Sequence, residues 1–325
     1  MWPPEAIVLT NSKYCHMPNR MLVSETLISL RTEQLKKVLS ETFGVLSEEE
    51  WQQILQHIEW VDIQGGNLLF EQGMPSDGMY LVLSGRLQAE LNTSDGQIKK
   101  LSEIGRGETI GEMALLTGEP RMASIRALRD SVLTKLPQDF FDSILVSKPK
   151  VLHHIARNLI QRLQHANSGK KTAAHISALC LLPITAGFDL SQFSKQLHLA
   201  SSAKKNTLTL KFQDFATAHP ETLSLPTELL LDSMMHWMNE QEATVDLVLL
   251  ETEPDQHWWN QCCIRQSDAV LLIADADIVA ADQILNAAEL LLQTERQRRE
   301  LNCILALFHA EHAIAPKKHQ AGKNA

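Results

Sequence analysis

Ile110-Gly111-Glu112-Met113-Ala114-Leu115-Leu116-Thr117-Gly118-Glu119-Pro120-Arg121-Met122-Ala123-Ser124 is the run on which the reading of this chain turns. Its neighbours are short apolar stretches that predict strands, and Glu108–Gly118 alone among them has the spacing of a short helix. Gly111 lets backbone come close to a ligand and opens that helix, whose first N–H groups have no partners within it and favour an anion. Glu112 adds a carboxylate suited to a sugar hydroxyl, and Arg121 a planar fork suited to phosphate oxygens. Together they fit a ribose bearing a phosphate.

Outward from this run, Val61 to Leu136 alternates apolar runs (Asn67–Phe70, Met79–Leu83, Arg86–Leu91, Ser124–Leu128, Val132–Leu136) with glycine-rich breaks. Such spacing predicts a β-sandwich or barrel, with Asp95-Gly96 as a hairpin turn. Upstream, residues 1–45 form a helical lead-in, with apolar helical spacing in Ser24–Phe43. Ser47 and Glu50 then make a capping box before a helix carrying Trp51, Ile54, Leu55 and Ile58. Downstream of Pro137 the spacing turns helical over Asp139–Leu145 and Lys150–His165, and Asn167–Lys171 is a polar linker.

Beyond the linker, strands are expected at Ile176–Ile184, Leu208–Leu210, Val245–Leu250, Ala269–Ala274 and Cys303–Phe308. They alternate with helices at Leu190–Leu199, Leu229–Asn239 and Ala281–Arg299. Several of these strands are apolar on both faces, which predicts a parallel sheet covered by helices on both sides. The expected organisation is a lead-in (1–45), a β-domain (46–168), an α/β domain (174–312) and a polar tail (313–325).

The 325 residues suffice for about two domains. Lys and Arg total 30 against 39 Asp and Glu, a formal charge of -9, which argues against a nucleic-acid partner. The five scattered cysteines form neither a CxxC nor an even framework, so buried reduced thiols in the cytoplasm are expected. No apolar run approaches the ~18 residues of a membrane span. His153, His154, His165, His309 and His312 do not make a metal set. Trp258-Trp259 beside Cys262-Cys263 reads as core or interface packing; an exposed pair would offer a peripheral contact with a partner or membrane.

The run at 110–124 resembles the phosphate-binding cassette of cyclic-nucleotide-binding domains, a Gly-Glu-apolar-Ala-apolar pattern followed by Pro-Arg-x-Ala. Met79-Tyr80-Leu81-Val82 with Gly85 matches that family's jelly roll, and the helix after Pro137 its hinge helix. The resemblance implies that Glu112 binds the ribose 2′-hydroxyl and Arg121 the cyclic phosphate. Gly111, Met122 and Ala123 would line the pocket with their backbone, and Met113 and Ala114 complete the ligand-binding set. Relatives that prefer cyclic GMP often carry Thr where Met122 stands, so the ligand leans to cyclic AMP; no metal or other cofactor is expected.

The second half resembles the region that follows the sensor domains in neuropathy target esterase-like patatin phospholipases. Four stretches carry this likeness: Arg126-Ala127-Leu128-Arg129-Asp130-Ser131, Leu182-Pro183-Ile184 with Phe193 beyond it, Asp246–Leu250 and Arg265–Ile273. In those proteins a catalytic domain comes next, with a Gly-x-Ser-x-Gly nucleophile elbow. No such motif occurs here, so no enzymatic activity is expected in this chain. The strands Val245–Leu250 and Ser267–Ala274 also resemble a pair in ParA/MinD-like NTPases. Thr185–Asp189 has one glycine and no lysine where a phosphate loop belongs, and Gly169-Lys170-Lys171-Thr172 precedes the strand, so a degenerate Rossmann-like domain is expected.

The expected protein is an α+β multi-domain regulatory module that binds cyclic nucleotide and works with a patatin-type catalytic domain or protein partner. The alternatives are a ligand-free adaptor and a non-catalytic piece of a lysophospholipase.

Overall fold

The computed structural model describes residues 18–44, 46–93, 95–138, 153, 155–160, 162, 176–185, 188–254, 256–275 and 287–308. Two helices lead the chain, α1 (Pro18–Phe43) and α2 (Glu48–His57). Ser47 caps α2 in a full capping box: its hydroxyl accepts from the Glu50 N–H, and Glu50 accepts from the Ser47 N–H.

Eight strands follow: β1 (Glu59–Ile63), β2 (Leu68–Phe70), β3 (Met79–Ser84), β4 (Leu87–Asn92), β5 (Ile98–Ile104), β6 (Thr109–Ile110), β7 (Ser124–Ala127) and β8 (Ser131–Leu136). One helix, α3 (Glu112–Thr117), interrupts them between β6 and β7. The strands close into a roll of two antiparallel sheets, β1-β8-β3-β6 and β2-β7-β4-β5.

Strand β3 explains why the helices belong to this roll. All six of its residues are buried, because successive side chains face opposite sides. Tyr80 and Val82 point into the roll with Leu87, Ile104, Ile110 and Leu133. Met79, Leu81 and Leu83 point out and are covered by Leu35, Val38 and Leu39 of α1, by Trp51 and Ile54 of α2, and by Ile155. Ile155 lies in the helix containing the described residues of 153–162, called here the hinge helix. Burying a leucine of this kind contributes about 1.5–3 kcal/mol, so Leu81→Ala removes much of what joins helix layer to sheet.

The second half is a five-stranded parallel sheet ordered β10-β11-β9-β12-β13. Its strands are β9 (Ala178–Pro183), β10 (Thr207–Leu210), β11 (Leu247–Glu251), β12 (Ala269–Asp275) and β13 (Asn302–Phe308). The crossover helices are α4 (Leu190–Ser202), α5 (Phe212–Ala218), α6 (Thr227–Glu242), α7 (His257–Gln266) and α8 (Ala287–Arg298). The main core, with Cys180, Val248, Leu250 and Val270 at its centre, packs against Phe215, Met234, Trp237, Trp259 and Cys263.

Several elements depart from the sequence expectation. Strands β1 and β6 are not expected from the sequence, nor are α5 and α7, and β5 is expected only as the far arm of the Asp95-Gly96 hairpin. Helix α7 carries the Trp258-Trp259 pair and splits it: Trp259 is fully buried, as are Cys262 and Cys263, while Trp258 is 42% exposed. Asp139–Leu145, the 167–171 linker and the start of the expected Ala281–Arg299 helix lie outside the described residues.

The two halves meet on arginines that cross in both directions. Arg129, in the β7–β8 turn, donates from Nη2 to both carboxylate oxygens of Glu242 (2.6 and 2.7 Å) and from Nη1 to the Gln266 carbonyl (2.6 Å). Arg86 donates to the Ser177 hydroxyl (2.8 Å), which itself donates to Glu242 (2.6 Å). In return, Arg299 donates to the Leu128 carbonyl at 2.7 Å, and Arg265 Nε faces Asp130 at 3.5 Å. Asp268 anchors the seam by accepting the Ser177 and Ala178 N–H groups at 2.8 and 3.0 Å. Burial pushes its carboxyl up, but Arg129 and Arg86 outweigh that and hold it below its ordinary value.

Candidate functional site

The run that decided the sequence reading forms a tight loop-and-helix unit on the roll. Gly111 caps the start of α3 at φ +85°, in the left-handed region, and a Cβ there would lie 2.0 Å from Arg121 Nη1. The position therefore needs glycine twice over, for its backbone and for the guanidinium beside it. Gly118, at φ +73°, ends the helix by donating its N–H to the Ala114 carbonyl.

Arg121 is tied down by backbone first. Its N–H donates to the Met74 carbonyl (2.8 Å), and its carbonyl accepts the Gly73 N–H (2.7 Å). The side chain, 3% exposed for the residue as a whole, runs inward across the Phe70 ring with the guanidinium carbon 4.2 Å from the ring centre. Nη2 donates to the Gly78 carbonyl (2.8 Å) and to Asp77 Oδ1 (2.7 Å), and Nη1 to the Gly111 carbonyl (3.2 Å). The other oxygen of Asp77 accepts from Lys135 Nζ at 2.8 Å. Burial raises the Asp77 carboxyl, but Lys135 and Arg121 prevail and leave it below its ordinary value.

Glu112 is 1% exposed. Its Oε1 accepts from Arg162 Nη1 of the hinge helix at 3.2 Å, and Arg162 also donates to the Thr109 carbonyl at 2.7 Å. Its Oε2 is buried and has no hydrogen-bond partner among the described residues. Burial raises the Glu112 carboxyl above its ordinary value, with Arg162 opposing.

The two anchors read from the sequence are thus not paired with each other: Arg121 bonds Asp77 and Glu112 bonds Arg162. Gly111 lies against the Arg121 fork, Ala114 is buried, and Ala123 packs on the roll core. Met113 and Met122 stand exposed. Sequence reasoning missed Asp77 and Arg162. Asp77 read only as part of a Pro-Ser-Asp-Gly turn, and nothing in the sequence ties Arg162 to a glutamate fifty residues earlier.

In open parallel sheets, ligands sit beyond the carboxyl ends of the strands where the strand order reverses. Here that place flanks β9, between β11 and β12, and its polar groups are already engaged. Glu251, at the end of β11, accepts from Ser191 (2.9 Å), Ser194 (2.5 Å) and Lys211 Nζ (3.0 Å). Asp189 caps α4 by accepting the Gln192 N–H, so the helix end that would meet a phosphate carries a carboxylate. Phe188, Phe193 and Phe308 pack together with ring centres 4.9–6.3 Å apart. Among the described residues no three His, Cys, Asp or Glu side chains are grouped to hold a metal ion, and no helix is long and apolar enough to cross a membrane.

Comparison with known proteins matches both halves. The family described as "Cyclic nucleotide-binding domain" matches residues 60–148, and "Neuropathy Target Esterase family P-loop like domain" matches residues 175–321. Lysophospholipase nte1 of Aspergillus oryzae is 30% identical over 280 residues, covering 80% of this chain and 18% of its own length. Patatin-like phospholipase domain-containing protein 6 of Homo sapiens is 28% identical over 282 residues, covering 80% of this chain and 20% of its own. The chain therefore spans about a fifth of the length of these relatives. Among solved structures, the regulatory domain of Toxoplasma gondii PKA with cAMP matches at TM-score 0.33 and 28% identity, over 35% of this chain and 44% of that one. This chain carries a cyclic nucleotide-binding domain joined to the P-loop-like domain of the neuropathy target esterase family.

Proposed function

We propose that this chain is a cyclic-nucleotide-binding regulatory module of a patatin-like phospholipase system, without catalytic activity of its own. The sensor takes residues 46–168 and the α/β interaction domain 174–312. The observation that carries the reading is the second oxygen of Glu112, buried at the start of α3 without a geometrically formed hydrogen bond among the described residues, the Thr109 hydroxyl being the donor nearest to serving it. An unsatisfied buried acceptor costs about 1–3 kcal/mol, which a donated hydroxyl recovers. A ribose 2′-hydroxyl supplies that hydrogen bond, while Arg121 and the N–H groups at the start of α3 face the cyclic phosphate. Gly111, Met113, Ala114, Met122 and Ala123 line the ligand.

Because Arg162 holds the other oxygen of Glu112, ligand and hinge helix share one carboxylate. Nucleotide occupancy thereby biases the placement of that helix, which is how sensing reaches a catalytic partner. Cyclic AMP is favoured over cyclic GMP on the identity of Met122. The catalytic partner is of the patatin type named in the relatives. The free thiols of Cys180, Cys262, Cys263 and Cys303 suit a reducing cytoplasm.

Isothermal titration tests the reading. Wild-type protein is expected to bind cyclic AMP more tightly than cyclic GMP, with Arg121→Ala and Glu112→Gln each weakening binding by at least about tenfold. Absence of heat with both nucleotides overturns it.

A further inference from the structure

We propose that the seam between the two halves holds a second ligand site, apart from the cassette, for a phosphate monoester with a small polar body. The site is a cavity of about 510 Å³ to which both halves contribute: Arg86, Gln88 and Lys100 come from the β-roll, and Arg296, Arg299 and Asn302 from the α/β domain. Small-molecule pockets run to about 300–1,000 Å³ and favour such junctions.

In a chain of formal charge -9, this concavity gathers four cations against three carboxylates. Each of those carboxylates is engaged. Glu103 accepts from Arg86 Nη1 at 3.1 Å, Asp268 lies 3.5 Å from Arg86 Nε and accepts two backbone N–H groups, and Glu300 accepts from Lys100 Nζ at 2.5 Å. Two guanidiniums are left over. Arg296 is exposed in the last turn of α8 and makes no ion pair among the described residues. Arg299 is 8% exposed; its Nη atoms donate to the Leu128, Ser267 and Ile264 carbonyls, and its Nε has no hydrogen-bond partner among the described residues. The carboxylates that act on it most strongly, Glu295 and Asp130, face Arg265 at 3.4 and 3.5 Å. Burial lowers the Arg299 pKa below its ordinary value, with Glu295 opposing. A cation held among carbonyls in this way gains from a counter-anion.

A phosphate monoester brings about two negative charges at neutral pH, and guanidiniums match its oxygens. Entry opens the Lys100–Glu300 pair at the rim, whose side chains are 54% and 84% exposed; breaking such a surface pair costs little. The Gln88 and Asn302 amides suit hydroxyls of the organic body. Because both halves supply these groups, a bound ligand ties the roll to the sheet.

Isothermal titration of the full chain with glucose 6-phosphate tests the site, with inorganic phosphate as the bare anion. Wild type and Arg121→Ala should bind glucose 6-phosphate with Kd values within about twofold of each other, since the cassette takes no part. Arg296→Ala and Lys100→Met should each weaken binding by about tenfold or more. Arg298→Ala removes a nearby cation that does not line the cavity and should stay within about twofold. Inorganic phosphate should bind more weakly than the monoester. Binding lost in Arg121→Ala and unchanged in Arg296→Ala would put the phosphate in the cassette and overturn the seam site. Equal weakening by Arg296→Ala and Arg298→Ala also overturns it, since the effect would then be general charge. Inorganic phosphate binding as tightly as glucose 6-phosphate overturns the organic body as part of the ligand. No binding of either probe by protein folded by circular dichroism overturns the site altogether.

Discussion

Arg129 of the β-roll grips both carboxylate oxygens of Glu242, at 2.6 and 2.7 Å, on the far side of the seam between the two halves. The arginine is 2% exposed and also donates to the Gln266 carbonyl, with the Asp268 carboxylate 3.6 Å away, while the Glu242 side chain keeps 17% of its surface in contact with water. Desolvating two charges is costly, and a pair of this kind adds little relative to an apolar replacement. Removing one partner is different, because it strands the other charge in the interior.

Arg129→Ala should therefore destabilise the chain by about 3 kcal/mol in urea unfolding, because it strands the Glu242 and Asp268 carboxylates; Glu242→Ala should cost less, since Asp268 still faces Arg129 at 3.6 Å. Replacing both residues at once should cost less than the sum of the single changes. Additive losses would show that the two side chains do not depend on each other.

Gly66 tests the same seam through backbone. It has φ +92°, and a Cβ there would lie 2.0 Å from the Arg298 carbonyl oxygen, which is not free to swing away. Gly73 has a similar φ of +87° but nothing within 4 Å of its would-be Cβ. Gly73→Ala should cost about 1–2 kcal/mol for the left-handed conformation alone. Gly66→Ala should cost clearly more; equal losses in chemical denaturation would mean that the halves do not press together there.

Acid sensitivity should trace in part to Asp268. Its pKa is lowered on folding from 3.8, so its contribution is fully present above about pH 5 and is lost as pH falls through the depressed folded value. The stability gap between wild type and Asp268→Asn should thus be widest near neutrality and close as the solution is acidified. A gap that stays constant down to about pH 3 would remove Asp268 from the account.

Thiol chemistry should separate the cysteines. Burial raises the Cys180, Cys262 and Cys263 thiols well above their ordinary value, and the thiolate is the reactive species. Cys303, on β13, is only partly buried. Alkylation of native protein followed by peptide mass mapping should label Cys303 well before the other three. Early labelling of Cys262 or Cys263 would contradict the packing of α7 against the sheet.

Much of this was legible where local chemistry and fold agree. The Ser47–Glu50 capping box, the short helix bracketed by Gly111 and Gly118, and the apolar strands β9, β11 and β12 each announce themselves within a few residues. Strand β5 does not, because Ile98-Lys99-Lys100-Leu101 is exposed along an edge and has no buried face to impose alternation. Helix α7 hides for the opposite reason: Trp259, Asn260, Cys262, Cys263, Ile264 and Gln266 are all buried, so no polar stripe marks its period. The site divides along the same line. Glu112 and Arg121 stand in one motif, whereas Asp77 and Arg162 act from other elements and carry no local sign of it. Arg129 was visible only as a letter in a family pattern; its partner lies 113 residues away.

The paired glycines at 65 and 66 carry a lesson for anyone who would dissect this protein. Where Arg298 and Arg299 lean against them, a bare backbone is a mould for the other half. Cutting the chain between sensor and sheet would leave that mould empty and would turn arginines shaped for a dry interior out into solvent. Each fragment would then be a poor witness to the intact molecule, so measurements of ligand affinity belong on the undivided polypeptide.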